Sequence, residues 1–158
     1  MNTTITLEIE SFSSEETEKL GEALGKLLKG GDVIDLSSDL GGGKTTLTRG
    51  IARGMGSKSH VSSPTFKICN VYDAGRLKIY HFDFYRLSDP GLIKYEIQEV
   101  IDDPYAVIVI EWSEVLSGLL PDRAVLVNIS SIGEFKRLIK IEFEENKNGH
   151  LIKLKNKM

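Results

Sequence analysis

The sequence predicts an α/β domain of three layers, in which a central, mostly parallel sheet carries antiparallel hairpin additions. Three observations predict it. The run 106–112, AVIVIEW, is aliphatic up to its acid, as expected of a strand buried on both faces of a parallel sheet. The stretch 33–54, VIDLSSDLGGGKTTLTRGIARG, passes from an apolar run through three glycines into a segment that can be helical. Two mixed-polarity runs, 66–73 and 77–87, flank Ala74-Gly75-Arg76, a connection suited to a hairpin.

Taken in order, residues 3–9 (TTITLEI) alternate in polarity and read as a strand. Ser13 followed by Glu16 forms a capping box, with Phe12 placed for a hydrophobic staple. Leu20, Ala23, Leu24, Leu27 and Leu28 then mark one apolar stripe of a helix over 14–29, which Gly30-Gly31 stops. That helix has the pattern of a sheet cover, although its polar first turn, 14–17, can also approach a ligand. Residues 33–37 form the strand entering the glycine loop, with Asp35 an unexpected polar member, and a helix over 44–54 follows. The loop 57–65, SKSHVSSPT, is polar, and Pro64 biases Ser63 away from helix. It reads either as a surface linker or as a mobile sensor segment.

The hairpin pair predicts two partly exposed antiparallel strands. Asp89-Pro90-Gly91 turns the chain into a short helix over 92–101. After the aliphatic run comes AVLVNIS (124–130), a second candidate buried strand. The runs 135–144 and 150–155, joined by Asn146-Lys147-Asn148-Gly149, read as a terminal hairpin.

The chain has 158 residues, 41% of them hydrophobic and 27% charged, which suits one domain spanning 1–158. A net charge of −3 argues against a protein whose main task is holding a nucleic acid backbone. The single cysteine, Cys69, excludes an internal disulfide and a thiolate metal cluster, and it reads as an apolar filler. With no apolar stretch of transmembrane length and no basic-then-apolar leader in MNTTITLEIE, the expected setting is cytoplasmic.

The glycine loop carries the chemistry. Such a loop presents backbone N–H groups to an anion, with a helix N-terminus behind them. Lys44 supplies a charge for outer phosphates, and the Thr45 hydroxyl can ligate magnesium. The usual spacing begins with glycine where this chain has Ser38, and a plain turn with a solvated lysine would explain the stretch differently. The strand before it, the helix after it and a cation placed against the helix dipole favour a phosphate loop, hence a P-loop NTPase-like fold. In such sheets ligands sit beyond the carboxyl ends of the strands, where Glu111 follows AVIVI. There it can hold magnesium or polarise a water; Asp83, in HFDFYR, can position the water, support the metal's ligands or serve as part of a polar strand face. His81 reads as structural or as a support to the site, Trp112 as core or as a lid over the nucleotide, and Arg86 has no assigned role. Three dispersed histidines do not suggest zinc.

These residues resemble, over essentially the full chain, the small bacterial ATPase family of tRNA threonylcarbamoyladenosine biosynthesis, the TsaE or YjeE family. The resemblance rests on DLGGGKTTLTRG (39–50), SSPTF (62–66), HFDFYRLSDP (81–90) and IEWSE (110–114), four motifs in the family's order. It implies a phosphate loop of Asp39, Leu40, Gly41, Gly42, Gly43, Lys44, Thr45 and Thr46, binding ATP with Mg2+. Thr45 and Glu111 would be the metal ligands, Asp83 the residue required for hydrolysis, Thr65 the switch threonine and Trp112 the conserved tryptophan. Further nucleotide contacts would come from Ser14 to Thr17 and from near Gly133. The departures are Ser38 for the first glycine, Gly42 for alanine, and Glu134 where many relatives have arginine.

The resemblance further implies a motor or switch acting on a TsaB–TsaD-type complex that modifies adenosine 37 of tRNA. Its contact with tRNA would be indirect, its turnover weak without the partner, and its free form a monomer or weak dimer with no membrane association. A small-molecule kinase remains an alternative, although 112–130 lacks an arginine cluster for a lid. So does a nucleotide-gated binding protein with negligible turnover. A GTPase is disfavoured because no NKxD segment occurs.

Overall fold

The computed structural model describes residues 3–38, 43–62, 68–85, 91, 93–116 and 118–157, the side chains of Ile93 and Val115 excepted. Its strands are β1 (Thr4–Ser11), β2 (Val33–Ser38), β3 (Cys69–Ala74), β4 (Leu77–Asp83), β5 (Ala106–Glu111), β6 (Val125–Ser131) and β7 (Arg137–Glu144). Its α-helices are α1 (Ser14–Leu27), α2 (Lys44–Gly54), α3 (Ile93–Val100) and α4 (Glu145–Asn148). The strands form one sheet in the order β1-β7-β6-β2-β5-β4-β3. The four strands β6, β2, β5 and β4 run parallel, and antiparallel neighbours extend both flanks, so the sheet is mixed.

β2 lies between β5 and β6, with Leu36 opposite both Glu111 and Val127. The chain leaves β2 toward α2 beyond the carboxyl ends of these parallel strands, the place where α/β sheets bind ligands. β5 is buried along its whole length, as its aliphatic run predicts.

Two apolar clusters sandwich the sheet. On one face Leu20, Leu24, Leu47 and Ile51 of α1 and α2 meet Leu36, Val109, Val127 and Ile141. On the other, Ile97 of α3 and Leu116 pack with Phe82, Phe84, Ile108 and Ile110. Each such side chain removed from water contributes about 1.5–3 kcal/mol.

The seat of α2 depends on glycine. A Cβ on Gly21 or Gly25 of α1 would strike the backbone of Leu47 or Ile51, and one on Gly50 or Gly54 of α2 would strike that of Glu18 or Glu22. The two helices therefore meet backbone to backbone through paired Gly-xxx-Gly spacings. Arg53 closes the contact with an ion pair to Glu18 at 2.7 Å. The leucine stripe alone does not reveal this.

The α1 capping box forms: Glu16 N donates to Ser13 Oγ at 3.1 Å, and the Glu16 carboxylate accepts from Phe12 N at 2.7 Å. The expected staple does not, because Phe12 is 53% exposed and lies beneath Lys136. Three strand expectations need correction. β3 and β4 do form a hairpin, but β4 also pairs parallel to β5, which buries His81 and Phe82. β6 alternates between buried and exposed residues instead of being wholly buried.

The terminal hairpin is absent. β7 already has β1 and β6 on its two sides, leaving no edge for a returning strand. The residues after it form α4 and a 3-10 helix, Gly149–Lys157, whose buried Leu151 and Leu154 are spaced three apart, matching the 3-10 repeat. Among the described residues, no helix is long and apolar enough to cross a membrane.

Candidate functional site

Lys44 opens α2 directly after Gly43, whose φ of 101° is left-handed. A Cβ at Gly43 would meet nothing within 4 Å, so conformation rather than space calls for glycine there. The helix start has no side-chain cap and no acid in its first turn. Its first N–H groups thus have no side-chain acceptor from the cap, and its dipole places partial positive charge at that end.

The Lys44 side chain is buried, 7% exposed. Its amino group donates to Ser38 Oγ at 3.0 Å and lies 4.7 Å from the centroid of the Trp112 ring. Among the described residues, no carboxylate lies within ion-pair distance of it. A buried cation ordinarily has an anionic partner, and a cation in a first helical turn opposes the dipole. Both considerations call for an anion here, and a phosphate fits. Ser38 is not in the left-handed region, so a side chain at that position carries no such strain, and its hydroxyl holds the lysine.

The acidic wall stands at the adjoining strand ends. Glu111 closes β5, 3% exposed, and Asp83 closes β4 as its register partner, half-buried. His81 Nε2 is bonded to Glu111 Oε2 at 2.5 Å, and His81 Nδ1 to the Tyr72 hydroxyl at 3.0 Å. That hydroxyl also reaches the Ser62 carbonyl at 3.0 Å. Asp83 Oδ1 accepts from Tyr85 N at 3.0 Å, which fixes the turn leaving β4.

Trp112 links the two walls. Its φ of 59° is unusual for a bulky residue, a conformation that costs about 1–3 kcal/mol. It turns the chain at the end of β5 and leaves the ring beside Lys44, with Tyr85 packed on it at 4.8 Å between centroids. The next residue secures the turn: Ser113 Oγ donates to Asp35 Oδ1 at 2.7 Å, which accounts for the polar member of β2. Burial raises the Asp35 pKa despite that hydrogen bond.

On the other side of the α2 start lies a cleft of ≈ 180 Å³, lined among the described residues by Ser13, Ser14, Thr17, Gly43, Thr46, Glu134, Phe135 and Arg137. The structure therefore brings Ser14, Thr17, Gly43 and Thr46 together. Gly133 is next to the lining residue Glu134, and its carbonyl accepts from Arg137 Nη1 at 3.5 Å. Thr45 is half-buried in the first turn of α2. Asp39, Leu40, Gly41, Gly42, Thr65 and Arg86 lie outside the described residues.

Sequence reasoning missed Phe135 and Arg137, which line this cleft, and the Tyr72–His81–Glu111 chain. An arginine opening the strand after a Ser-Ile-Gly turn was the available signal for the first. No spacing signals the second, since it depends on how β3, β4 and β5 pair.

The donor set suits magnesium. Among the described residues, no group of three or more His, Cys, Asp and Glu forms a protein-only metal cage. Magnesium beside phosphates usually takes only one or two protein ligands, and a hydroxyl at Thr45 with a carboxylate at Glu111 would meet that need.

Residues 11–139 match the family model described as threonylcarbamoyl adenosine biosynthesis protein TsaE. The chain is similar to the tRNA threonylcarbamoyladenosine biosynthesis protein TsaE of Rickettsia conorii, 39% identical over 82% of this chain and 74% of that one. The protein of the same name from Bacillus subtilis is 35% identical over 82% of this chain and 80% of its own. Among solved structures, that of Bacillus subtilis YdiB superposes with a TM-score of 0.77 at 29% identity, covering 99% of this chain and 98% of that one.

Proposed function

The chain belongs to the TsaE family, and on that premise we propose that it is a magnesium-dependent ATPase serving the threonylcarbamoyladenosine modification of tRNA. The observation that carries the reading is the buried Lys44 amino group, at an uncapped helix start and without a carboxylate partner among the described residues. The triphosphate of ATP supplies the missing negative charge. Residues 1–158 act together as one ATPase domain.

In this reading Lys44 and the N–H groups opening α2 hold the outer phosphates, and Gly43 lets the backbone approach them. The cleft of Ser14, Thr17, Thr46, Phe135 and Arg137 takes the nucleoside end, with Gly133 held by Arg137. Magnesium, held by Thr45 and Glu111, would neutralise charge on the phosphates. Asp83 orients the attacking water from the neighbouring strand end, Thr65 completes the phosphate side, and Trp112 shields the reacting centre from bulk water. Turnover is slow in isolation and rises with a partner of the TsaB–TsaD type, so tRNA is reached through that complex. The acidic balance of the chain fits such an indirect relation.

The test is phosphate release from ATP by the purified chain, with and without magnesium and with and without the partner complex. Release should require magnesium, increase with the partner and vanish in Lys44→Ala and Glu111→Ala. Full activity in both variants would sink the site assignment. Tight ATP binding with no single-turnover hydrolysis would leave a nucleotide-gated binding protein instead.

A further inference from the structure

We propose that His81 is a positioning residue for Glu111, and that Tyr72 ties this pair to the chain segment that follows α2. The proposal rests on the reading of the site as a magnesium–ATP site. Its basis is a continuous line of hydrogen bonds on the sheet face that carries α1 and α2. It runs from the Ser62 carbonyl to the Tyr72 hydroxyl at 3.0 Å, to His81 Nδ1 at 3.0 Å, and from Nε2 to Glu111 at 2.5 Å. Asn70 Nδ2 also donates to the Ser62 carbonyl, at 3.2 Å. His81 is fully buried and Glu111 nearly so, so no solvent competes for the bonds of the ring, whereas the Ser62 end of the line is exposed.

A carboxylate at a strand end can rotate about its side-chain torsions. One bound along one oxygen to a ring that is itself fixed at both nitrogens cannot do so without breaking a buried bond. The ring is fixed because β3, β4 and β5 are adjacent: Asn70 pairs with His81, and His81 with Val109 two residues before Glu111. One oxygen of Glu111 is thus engaged by the ring, and the other is directed by that engagement. This is the arrangement by which histidine–carboxylate pairs orient metal ligands, with the partner groups reversed.

The line also couples distant parts of the chain. The Tyr72 hydroxyl donates to the Ser62 carbonyl and also meets His81 Nδ1, each at 3.0 Å, so the two contacts share one oxygen. A displacement of the backbone at residue 62 therefore moves the Tyr72 hydroxyl against His81 Nδ1, and through the ring the seat of Glu111. His81 is for this reason a positioning residue and not a catalytic one, since it touches the carboxylate and no reacting atom.

Single-turnover hydrolysis of Mg–ATP, with protein in excess, tests the proposal on four variants beside the unaltered chain. Tyr72→Phe, which keeps the ring and its packing, should slow hydrolysis about three- to tenfold with ATP affinity unchanged, as for a lost neutral hydrogen bond. His81→Leu should slow it about 100-fold, the scale for a misplaced catalytic group. It should also raise the magnesium concentration needed for half-maximal rate. His81→Gln can still donate from the Nε2 position and should recover most of the loss, which a purely structural role would not produce. Lys44→Ala is the control for the site itself.

No hydrolysis by the unaltered chain overturns the magnesium–ATP reading and this proposal with it. Hydrolysis that Lys44→Ala abolishes but Tyr72→Phe and His81→Leu retain in full overturns the positioning role alone. Equal losses in His81→Gln and His81→Leu, with an unchanged magnesium requirement, do the same. Should His81→Leu fail to fold, Tyr72→Phe and His81→Gln decide the matter.

Discussion

Lys44 at the start of α2 and Glu111 at the end of β5 are held in different ways. Glu111 is locked: the sheet buries it, His81 bonds it and Tyr72 fixes His81. Lys44 rests on a serine hydroxyl and the face of an indole, both weak partners for an ammonium group. What is rigid on its side is the seat of α2, set by glycine-to-backbone contact with α1. On the proposed function, the difference teaches that one wall is completed by the protein and the other by a ligand. Preorganised groups act without rearranging when charge develops, and that suits the carboxylate. A lysine that can change partners suits an anion that arrives and leaves.

The largest expected effect breaks the locked wall. Glu111→Gln keeps the shape and the bond to His81 but removes the charge. ATP hydrolysis should fall by about 10²–10³, the usual scale for one electrostatic group at a reacting centre, with ATP affinity changed far less. Phosphate release and nucleotide titration measure the two separately, and equal losses in both would erase the distinction between the walls.

Next is the seat of α2. Gly50→Leu forces a side chain into the Glu18 backbone, and overpacking of this kind costs about 1–3 kcal/mol or more. Thermal unfolding should show a midpoint lower by about 2–4 °C for each kcal/mol. Nucleotide affinity should fall with it, because Lys44 and Thr45 move with the helix.

Ser38→Ala is smaller and sharpens the comparison from the other side. It removes a hydrogen bond worth about 0.5–1.5 kcal/mol in the free protein. If the lysine exchanges serine for phosphate, ATP affinity should hold or rise slightly, as read by calorimetry. A large loss of affinity would mean that Ser38 belongs to the bound state as well.

Asp35→Asn should alter stability alone. Burial raises the Asp35 pKa in the folded chain above its unfolded value, so between the two the folded state binds the extra proton. Its ionisation therefore lowers stability as pH rises through that window. The asparagine variant, which can still accept from Ser113, should gain on the unaltered chain as pH rises from below the ordinary carboxylate range to neutrality. Urea unfolding at acidic and neutral pH would show it. The smallest effect concerns Cys69: burial pushes its thiol up to about 12. Alkylation at pH 8 should be slow, and it should speed up when the chain is unfolded.

Local patterns made the fold legible where they were strong. The aliphatic run of β5, the leucine stripe of α1 and the glycines before Lys44 each predict their element because one period or one conformational demand dominates. Chain-end reasoning failed at 150–155, where a short apolar run reads as a strand although the Leu151–Leu154 spacing suits a 3-10 repeat, and the occupied edges of β7 leave no place for a strand. The α1–α2 glycines are scattered singly along two helices, and they become a pattern only once the helices are known to touch.

The site was legible in the same uneven way. Lys44 and Glu111 announce themselves by residue type at the end of an apolar run. Tyr72 and His81 do not, since an alternating strand shows which residues share a face and not which strand lies alongside. The serine at 38 looked like a defect in the loop because a motif records backbone requirements, whereas its use lies in a side-chain bond to Lys44.

A crystal structure with magnesium and a non-hydrolysable ATP analogue tests the central claim most directly. The account predicts that the Lys44 amino group leaves the Trp112 ring for the outer phosphates, while Glu111 keeps its bond to His81 and takes its place by the metal. An analogue bound away from the α2 start, or a bound state in which Lys44 stays on Trp112 and Ser38 while Glu111 swings off His81, would contradict it.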